Sequence, residues 1–273
     1  MKRRHLLRRL ASGISAACAA LFVAGQLTAC ASMDASNKQR QVASVLAFLY
    51  PGKDKPEAAA STVAEIRVPF RIGVAFVPDG ENNGPQRIAE AERQALTARV
   101  RDAFANYPFI SHIEAVPSLY LQPRGGFDNL DRVADLLQLD AIALISYDLV
   151  QHADSSGWSF LYWTGVGAYV IEGDRFEVLT AVDCAVFDVK SRRLLMHASG
   201  TARDKGEATL VGFGEKARSA RAKSLSDAVD QMIPVLRSEV ARFRESAPRD
   251  PLIKLILPPG YNPAGSSAAP SGR

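Results

Sequence analysis

Cysteine is scarce in this chain, and its three copies lie far apart. Cys18 and Cys30 fall within the first thirty residues, and Cys184 is the single cysteine of the remainder. If the first thirty residues are processed and modified, as argued below, the folded protein keeps one thiol. An internal disulfide and a metal cluster held by several thiolates are therefore excluded. About 240 residues can bury a core without such cross-links.

The signatures of familiar enzymes are also missing. The sequence contains neither a Gly-x-Ser-x-Gly motif nor a Gly-x-x-x-x-Gly-Lys phosphate loop. His112, His152 and His197 have no paired ligand spacing, and we expect surface or strand-edge positions for them. We predict an inert, buried Cys184, no catalytic residue and no cofactor. The alternative is an unrecognised hydrolase, which would need converging acids in a cleft or a base beside Cys184 or a serine.

The N-terminus has the parts of a secretory signal peptide. A basic start without acidic residues is followed by an uncharged apolar run over residues 10–26 and by the small residues Thr28 and Ala29. The tetrapeptide Leu27-Thr28-Ala29-Cys30 resembles a bacterial lipobox, in which the cysteine is acylated and the chain is cut before it. We predict that residues 1–29 are removed and that Cys30 anchors the protein. An ordinary secreted protein and an uncleaved anchor helix are the alternatives.

The residue after the anchor indicates the destination. Ala31, not aspartate, follows Cys30, and in lipoproteins of this kind a neutral residue usually permits transfer to the outer membrane. We therefore expect a lipid anchor in the inner leaflet of that membrane, facing the periplasm. The segment Arg3-Arg4-His5-Leu6-Leu7 also resembles a twin-arginine export signal. The ordinary export route is favoured because paired arginines are common in such N-termini.

The basic excess of the chain belongs to the leader. The whole sequence has 33 Lys and Arg against 29 Asp and Glu, and five of the basic residues precede Cys30. The mature protein then has 28 basic and 29 acidic residues. A near-neutral balance argues against a nucleic-acid-binding surface.

Residues 30–63 read as a lipidated tether with one interruption. An apolar patch at Val45, Leu46, Phe48, Leu49 and Tyr50 precedes a proline. A tether needs no such patch. We favour a short helix that docks on the globular domain over a partner-binding peptide.

Alternating strand and helix patterns follow over residues 64–147. Strands are predicted at 71–77, 109–116 and 141–147, the last apolar enough to be covered on both faces. The first helix follows Pro85 and ends at Pro108, and the second is capped by Asp128 or Asn129. This β-α-β-α-β order predicts right-handed crossovers and helices packed on a sheet.

The second half reads as antiparallel strands and a terminal helix. An aromatic hairpin is predicted over 158–171, followed by strands at 176–189 and 194–201 around a turn at 190–193. A helix spans 225–243, with a kink or break at Pro234. The fold class is thus α/β or α+β, with one domain over 64–246 and a Pro/Gly/Ser-rich, disordered tail over 247–273.

Two segments are candidates for a binding role. Asp79, Glu81, Asn83 and Glu90 have the spacing of a calcium loop, weakened by Arg87 at the ninth position and by a strand leading in. A plain strand-to-helix turn is the favoured interpretation, and we predict no metal. The aromatic stretch is expected to pack a core face, or else to meet lipid or a partner. Its members are Trp158, Phe160, Tyr162 and Trp163.

A family resemblance rests on six blocks of sequence. They are SVLAFLYP at 44–51, ISHIEAVPSLYL at 110–121, GGFDNL at 125–130, LISYD at 144–148, YWTGVGAY at 162–169 and SRRLL at 191–195. These blocks look like those of the rhombotarget lipoproteins, from the lipobox to about residue 245. That family occurs with rhombosortase, an intramembrane protease that processes surface proteins with a C-terminal Gly-Gly tail. The Gly125-Gly126 pair here is internal, so the resemblance implies a companion of the system and not its substrate.

The resemblance and the residues together define the expected function. We expect a non-enzymatic, lipid-anchored accessory or assembly factor for envelope-protein sorting, with an unknown envelope partner. The aromatic stretch and the Gly125-Gly126 loop are the expected interaction surface. The element order is also similar to the curli-secretion lipoprotein and to the N-terminal domain of the Tol-system propeller protein. That likeness supplies the alternative function, a pore-forming or secretion-type outer-membrane lipoprotein.

Overall fold

The computed structural model describes residues 38–52, 63–80, 88–155, 174–209 and 211–259. The chain divides into two units, residues 1–39 and residues 40–273. Of the first unit only Lys38 and Gln39 are described, as the start of a strand. The lipobox, Cys30 and the aromatic stretch lie outside the described residues.

The described strands are β1 Lys38–Ala43, β2 Ala64–Arg67, β3 Phe70–Phe76, β4 Ile110–Ala115, β5 Ala141–Ser155, β6 Asp174–Asp188, β7 Leu194–Ala208 and β8 Ile253–Ile256. Six of them form the main sheet, which runs in the order β4-β3-β5-β6-β7, with β1 beside β5. Strand β3 is parallel to β4 and β5, whereas β6 is antiparallel to its neighbours β5 and β7. A separate two-stranded sheet pairs β2 with β8 in parallel.

Helices lie on both faces of the main sheet. The described α-helices are α1 Val45–Leu49, α2 Glu90–Phe104, α3 Gly126–Leu137 and α4 Phe213–Ser246. Helices α2 and α4 contact each other on one face, and α1 and α3 contact each other on the opposite face. Short 3₁₀ turns at Ser118–Tyr120 and Ala247–Arg249 link the elements.

Helix α4 packs closely on β6 and β7. A Cβ atom added to Gly200 of β7 would lie 2.2 Å from the carbonyl oxygen of Ala228 and 2.6 Å from the amide of Met232. Glycine is therefore required for the backbones to approach. Within the same layer, the buried Ser224 hydroxyl lies 2.8 Å from the Thr180 hydroxyl, which satisfies both groups.

The outer half of the β5-β6-β7 sheet has one open face. Along β6, residues that face α4 are buried, whereas Leu179 and Ala181 on the other side are exposed. On β7 the matching positions are polar and exposed, and they include Thr201 and Arg203. This alternation is typical of an antiparallel sheet with one solvated face.

The structure confirms the predicted α/β class and element order. The strands β3, β4, β5, β6 and β7 overlap the predicted ones, and the turn at 190–193 joins β6 to β7. The predicted docking segment is helix α1, whose Val45, Phe48 and Leu49 are buried.

The domain boundaries differ from the predicted 64–246. Strand β1 belongs to the main sheet, and β8 at residues 253–256 pairs with β2, so the fold extends at both ends. A strand over 253–256 also shortens the predicted disordered tail. The sequence KQRQVA of β1 shows no apolar alternation because three of its six residues are exposed.

Two helix predictions need correction. Helix α4 begins at Phe213, ahead of the predicted start at Leu225, and continues through Pro234 to Ser246 without a break. Pro234 is exposed, so water can bind the carbonyl group that it leaves unpaired. Helix α3 begins at Gly126 with no side-chain cap, because Asn129 instead binds the preceding loop through Gln122 N and Tyr120 O.

Candidate functional site

Charged and polar side chains gather where the parallel strands end. Asp79 lies just beyond β3, Arg93 lies in the first turn of α2, and Tyr147 lies on β5. In α/β sheets, the carboxyl ends of the strands are where loops converge and ligands commonly bind. This group of three side chains, the Asp79 cluster, is therefore the first candidate for a functional site.

The Asp79 cluster is a buried ion pair supported by a phenol. Arg93 Nη2 lies 2.5 Å from Asp79 Oδ2, and the two side chains are 6% and 9% exposed. The Tyr147 hydroxyl donates to the other carboxylate oxygen, Oδ1. The Arg93 guanidinium also lies 6.0 Å from the centroid of the Tyr147 ring. Both carboxylate oxygens thus have donors, as a buried charge requires.

A second polar layer continues from the cluster toward α4. Arg221 Nη1 lies 2.5 Å from Oε1 of the buried Gln151 on β5. Burial lowers the pKa of Arg221, with a further lowering by Arg218 and an opposing effect of Glu92. Burial likewise raises the pKa of Glu92, against the attraction of Arg93 and Arg221. This layer places polar and charged groups of α2, β5 and α4 close together.

The chemistry of the cluster is that of a structural connection. Asp79 is fully engaged by Arg93 and Tyr147, so neither of its oxygens is presented to a substrate. Within the described ranges, no group of three or more His, Cys, Asp or Glu side chains is placed to hold a metal ion. The sequence signal for this cluster was Arg93 itself, a charged residue in line with the buried Leu96 and Val100 of α2.

At the two positions of the calcium-loop candidate that the structure describes, the carboxylates have other partners. Asp79 is paired with Arg93, whose charge would repel a cation. Glu90 Oε1 instead accepts the Ser118 backbone N–H at 3.0 Å and so ties α2 to the end of β4. Glu81 and Asn83 lie outside the described residues.

The Gly125-Gly126 pair is explained by backbone geometry. Gly126 is buried and has a φ of +63°, a conformation that favours glycine. A Cβ atom at Gly125 would lie 2.7 Å from Cβ of Asn129. The prediction that this pair forms an interaction surface is wrong for Gly126, because the packing of α3 against α1 covers it. The other predicted surface residues, Trp158, Phe160, Tyr162 and Trp163, lie outside the described residues.

Cys184 is buried as predicted. Its side chain is 0% exposed, and burial raises the pKa of the thiol to about 12. A thiol with this pKa is not a nucleophile at neutral pH. Of the histidines, His112 is exposed and lies 2.9 Å from Glu114, and His197 is exposed on β7.

Helix α4 is the longest described helix. Its exposed face is rich in Lys, Arg, Asp and Glu, and among the described helices none is long and apolar enough to span a membrane.

Known proteins offer only distant likenesses. No protein-family model matches the chain, and no curated protein sequence does. Its fold is similar to the PelC dodecamer from Paraburkholderia phytofirmans, at 15% identity over 62% of this chain and 94% of that one, with a TM-score of 0.26. It is also similar to a neuraminyllactose-binding hemagglutinin homolog from Helicobacter pylori, at 9% identity over 74% and 98%, with a TM-score of 0.38. Lipoprotein GNA1162 from Neisseria meningitidis gives 11% identity over 54% and 94%, with a TM-score of 0.26. Likenesses at these scores support no statement about activity or partners.

Proposed function

We propose that this chain is a cell-envelope lipoprotein, anchored in the inner leaflet of the outer membrane through acylated Cys30. The observation that supports the proposal is the lipobox Leu27-Thr28-Ala29-Cys30 behind a basic and then apolar N-terminus. Two or more acyl chains give an anchor that does not dissociate readily. The α/β domain is then held at the periplasmic surface of the membrane.

The start of the fold limits how far the domain can extend from the membrane. Arg40 Nη2 lies 2.5 Å from Asp148 Oδ2 of β5, so the chain already belongs to the domain at this residue. Arg40 is ten positions after Cys30, and an extended chain spans at most about 3.6 Å per residue. A tether between these two residues is therefore at most about 36 Å long.

The domain is proposed to act without catalysis, as an accessory or assembly factor for envelope and surface proteins. The resemblance to rhombotarget lipoproteins supports this role and suggests an association with rhombosortase. The chemistry of the described residues is consistent with it, because the candidate reactive groups of Asp79 and Cys184 are respectively paired and buried. The proposed contact with a partner is made by the aromatic stretch 158–163.

A pore-forming role is the alternative, and the described part of the second half gives it no support. Strand β6 alternates between residues buried beneath α4 and residues on the open face. A strand that packs beneath a helix in this way forms part of the domain core and is not available to line a pore.

Replacement of each cysteine in turn tests the anchor. Cys30→Ser should move the protein from the membrane fraction to the soluble fraction and abolish incorporation of labelled palmitate. Cys18→Ser and Cys184→Ala are matched controls, since one changes the predicted leader and the other a buried thiol. Both should remain labelled and membrane-bound. Membrane retention and labelling of the Cys30→Ser variant would contradict the proposal.

Capture of partners from solubilised envelopes tests the accessory role. The wild-type chain is compared with a Trp158→Ala/Trp163→Ala variant, and processing of Gly-Gly-tailed surface proteins is followed in cells that lack the chain. We expect loss of an envelope partner in the variant and impaired processing in those cells. Identical partners and normal processing would overturn the role while leaving the anchor untouched.

A further inference from the structure

An apolar cavity lies between the main sheet and the helices α2 and α4. It has a volume of about 50 Å³, and all of the side chains that line it are apolar. Ile72, Ala143 and Val186 line it from the sheet, and Val100 and Leu236 line it from the helices. Since a buried water needs about 10–15 Å³ of such space, there is room for roughly three to five groups of that size.

The lining determines what can occupy this cavity. A buried water is stabilised by two to four polar partners, and no polar side chain lines the cavity. Cavities of this composition stay dry and bind apolar molecules. Methylene and methyl groups, which are close to water in size, are therefore the chemical groups that fit.

The cavity adjoins a groove on the protein surface. Leu195 and Met196 of β7 line both spaces, and both are only partly buried. The groove has a volume of about 450 Å³ and is bordered by the charged side chains of Glu239, Arg242 and other residues at the end of α4. Because methionine is unbranched and changes rotamer readily, Met196 is the side chain that we expect to move when one ligand occupies both spaces.

We propose that the cavity binds the terminal methylenes of an acyl chain, with the rest of the chain and its polar head in the adjoining groove. The apolar cavity and the charged rim match the two ends of an amphiphile. The rim has charges of both signs, and Arg242 Nη2 lies 2.7 Å from Glu239 Oε1. The acyl chain is thus the group that the protein recognises. Titration with different amphiphiles shows whether this acyl chain belongs to a free fatty acid or to a phospholipid. The inference does not depend on the anchor at Cys30.

Calorimetric titration of the full chain carrying Cys30→Ser tests this inference, because that chain has no acyl groups of its own. Decanoate, decanol and decanoyl lysophosphatidylglycerol are added below their micelle concentrations. Ala143→Val places two extra carbon atoms in the cavity. Ala181→Val is the matched control, since it makes the same change on the exposed face of the neighbouring strand.

We expect binding of at least one of the three amphiphiles at a ratio of one to one, with equal affinity for Ala181→Val. Binding should weaken at least tenfold in Ala143→Val. The preferred head group identifies a free fatty acid or a phospholipid as the source of the chain. If Ala143→Val does not fold, Val186→Ile adds a single carbon and should weaken binding severalfold. Failure of all three amphiphiles to bind, or undiminished binding by the folded cavity variants, would overturn the inference.

Discussion

Two Arg–Asp ion pairs in this fold differ strongly in burial, and their comparison gives a quantitative prediction. Arg93 and Asp79 are 6% and 9% exposed, whereas Arg40 and Asp148 are 59% and 38% exposed, with the same distance of 2.5 Å. Removing one partner of a buried pair costs about 3–5 kcal/mol, because the remaining charge stays buried without compensation. Removing one partner of an exposed pair costs much less, because water solvates the charge that remains.

Urea unfolding followed by circular dichroism measures both costs in the full chain carrying Cys30→Ser. With a urea dependence of about 2–3 kcal/mol per molar, Asp79→Asn should lower the midpoint by at least about 1 M. Asp148→Asn should lower it by less than about 0.5 M. The double change Asp79→Asn/Arg93→Met should recover part of the loss, because it also removes the orphaned charge. Equal costs for the two single variants would refute the assignment of Asp79 as a buried structural anion.

Three further predictions follow from particular contacts. Gly200→Ala should destabilise the protein by about 1–3 kcal/mol or more in urea unfolding, since its Cβ would lie 2.2 Å from a helix carbonyl oxygen. Gly214→Ala, with open space around it, should be neutral or stabilise by up to about 1 kcal/mol. Cys184 should resist iodoacetamide at pH 8 in the native protein and react after unfolding, because its thiol is buried. Mass spectrometry of a variant that lacks Cys18 and Cys30 measures this reaction, and rapid labelling of the native protein would contradict the burial of Cys184. Because burial raises the folded-state pKa of Glu92, this carboxyl should contribute a loss of stability as the pH rises from about 4.5 through that raised pKa, and Glu92→Gln should remove that contribution; parallel pH profiles of the two proteins would contradict the cause.

Apolar periodicity predicted the parts of the fold that are buried on regular faces. The β-α-β-α-β unit and the strands around the 190–193 turn were found because their buried residues recur at strand or helix spacing. The ends of β5 and β7, beyond residues 147 and 201, were missed. Many side chains on the open face of these ends, such as Lys205, are solvated and give no apolar signal.

Two strands, β1 and β8, were also missed, because pairing with other strands and not their own composition determines their structure. Strand β1 is fixed by β5 and by the contact of Arg40 with Asp148, and β8 is fixed by the register of Ala64 with Ile253. Neither sequence has a distinctive pattern of its own. Helix α4 was detected only from Leu225 onward, because its first turns cover the sheet with small residues such as Ala217 and Ala220.

The candidate site was predictable only in part. The burial of Cys184 follows from an apolar strand, but the partners of Asp79 come from a helix and from a strand 68 positions away. Sequence spacing made Asp79 and Glu90 resemble calcium ligands. Tertiary contacts with Arg93 and with the Ser118 amide gave both carboxylates other roles.

The mass of the N-terminal peptide of the protein purified from membranes tests the anchor most directly. We expect a peptide that begins at Cys30, with a diacylglyceryl or triacyl modification on that residue and no residue of the segment 1–29. An unmodified Cys30 within a peptide that still contains Ala29 would contradict the account.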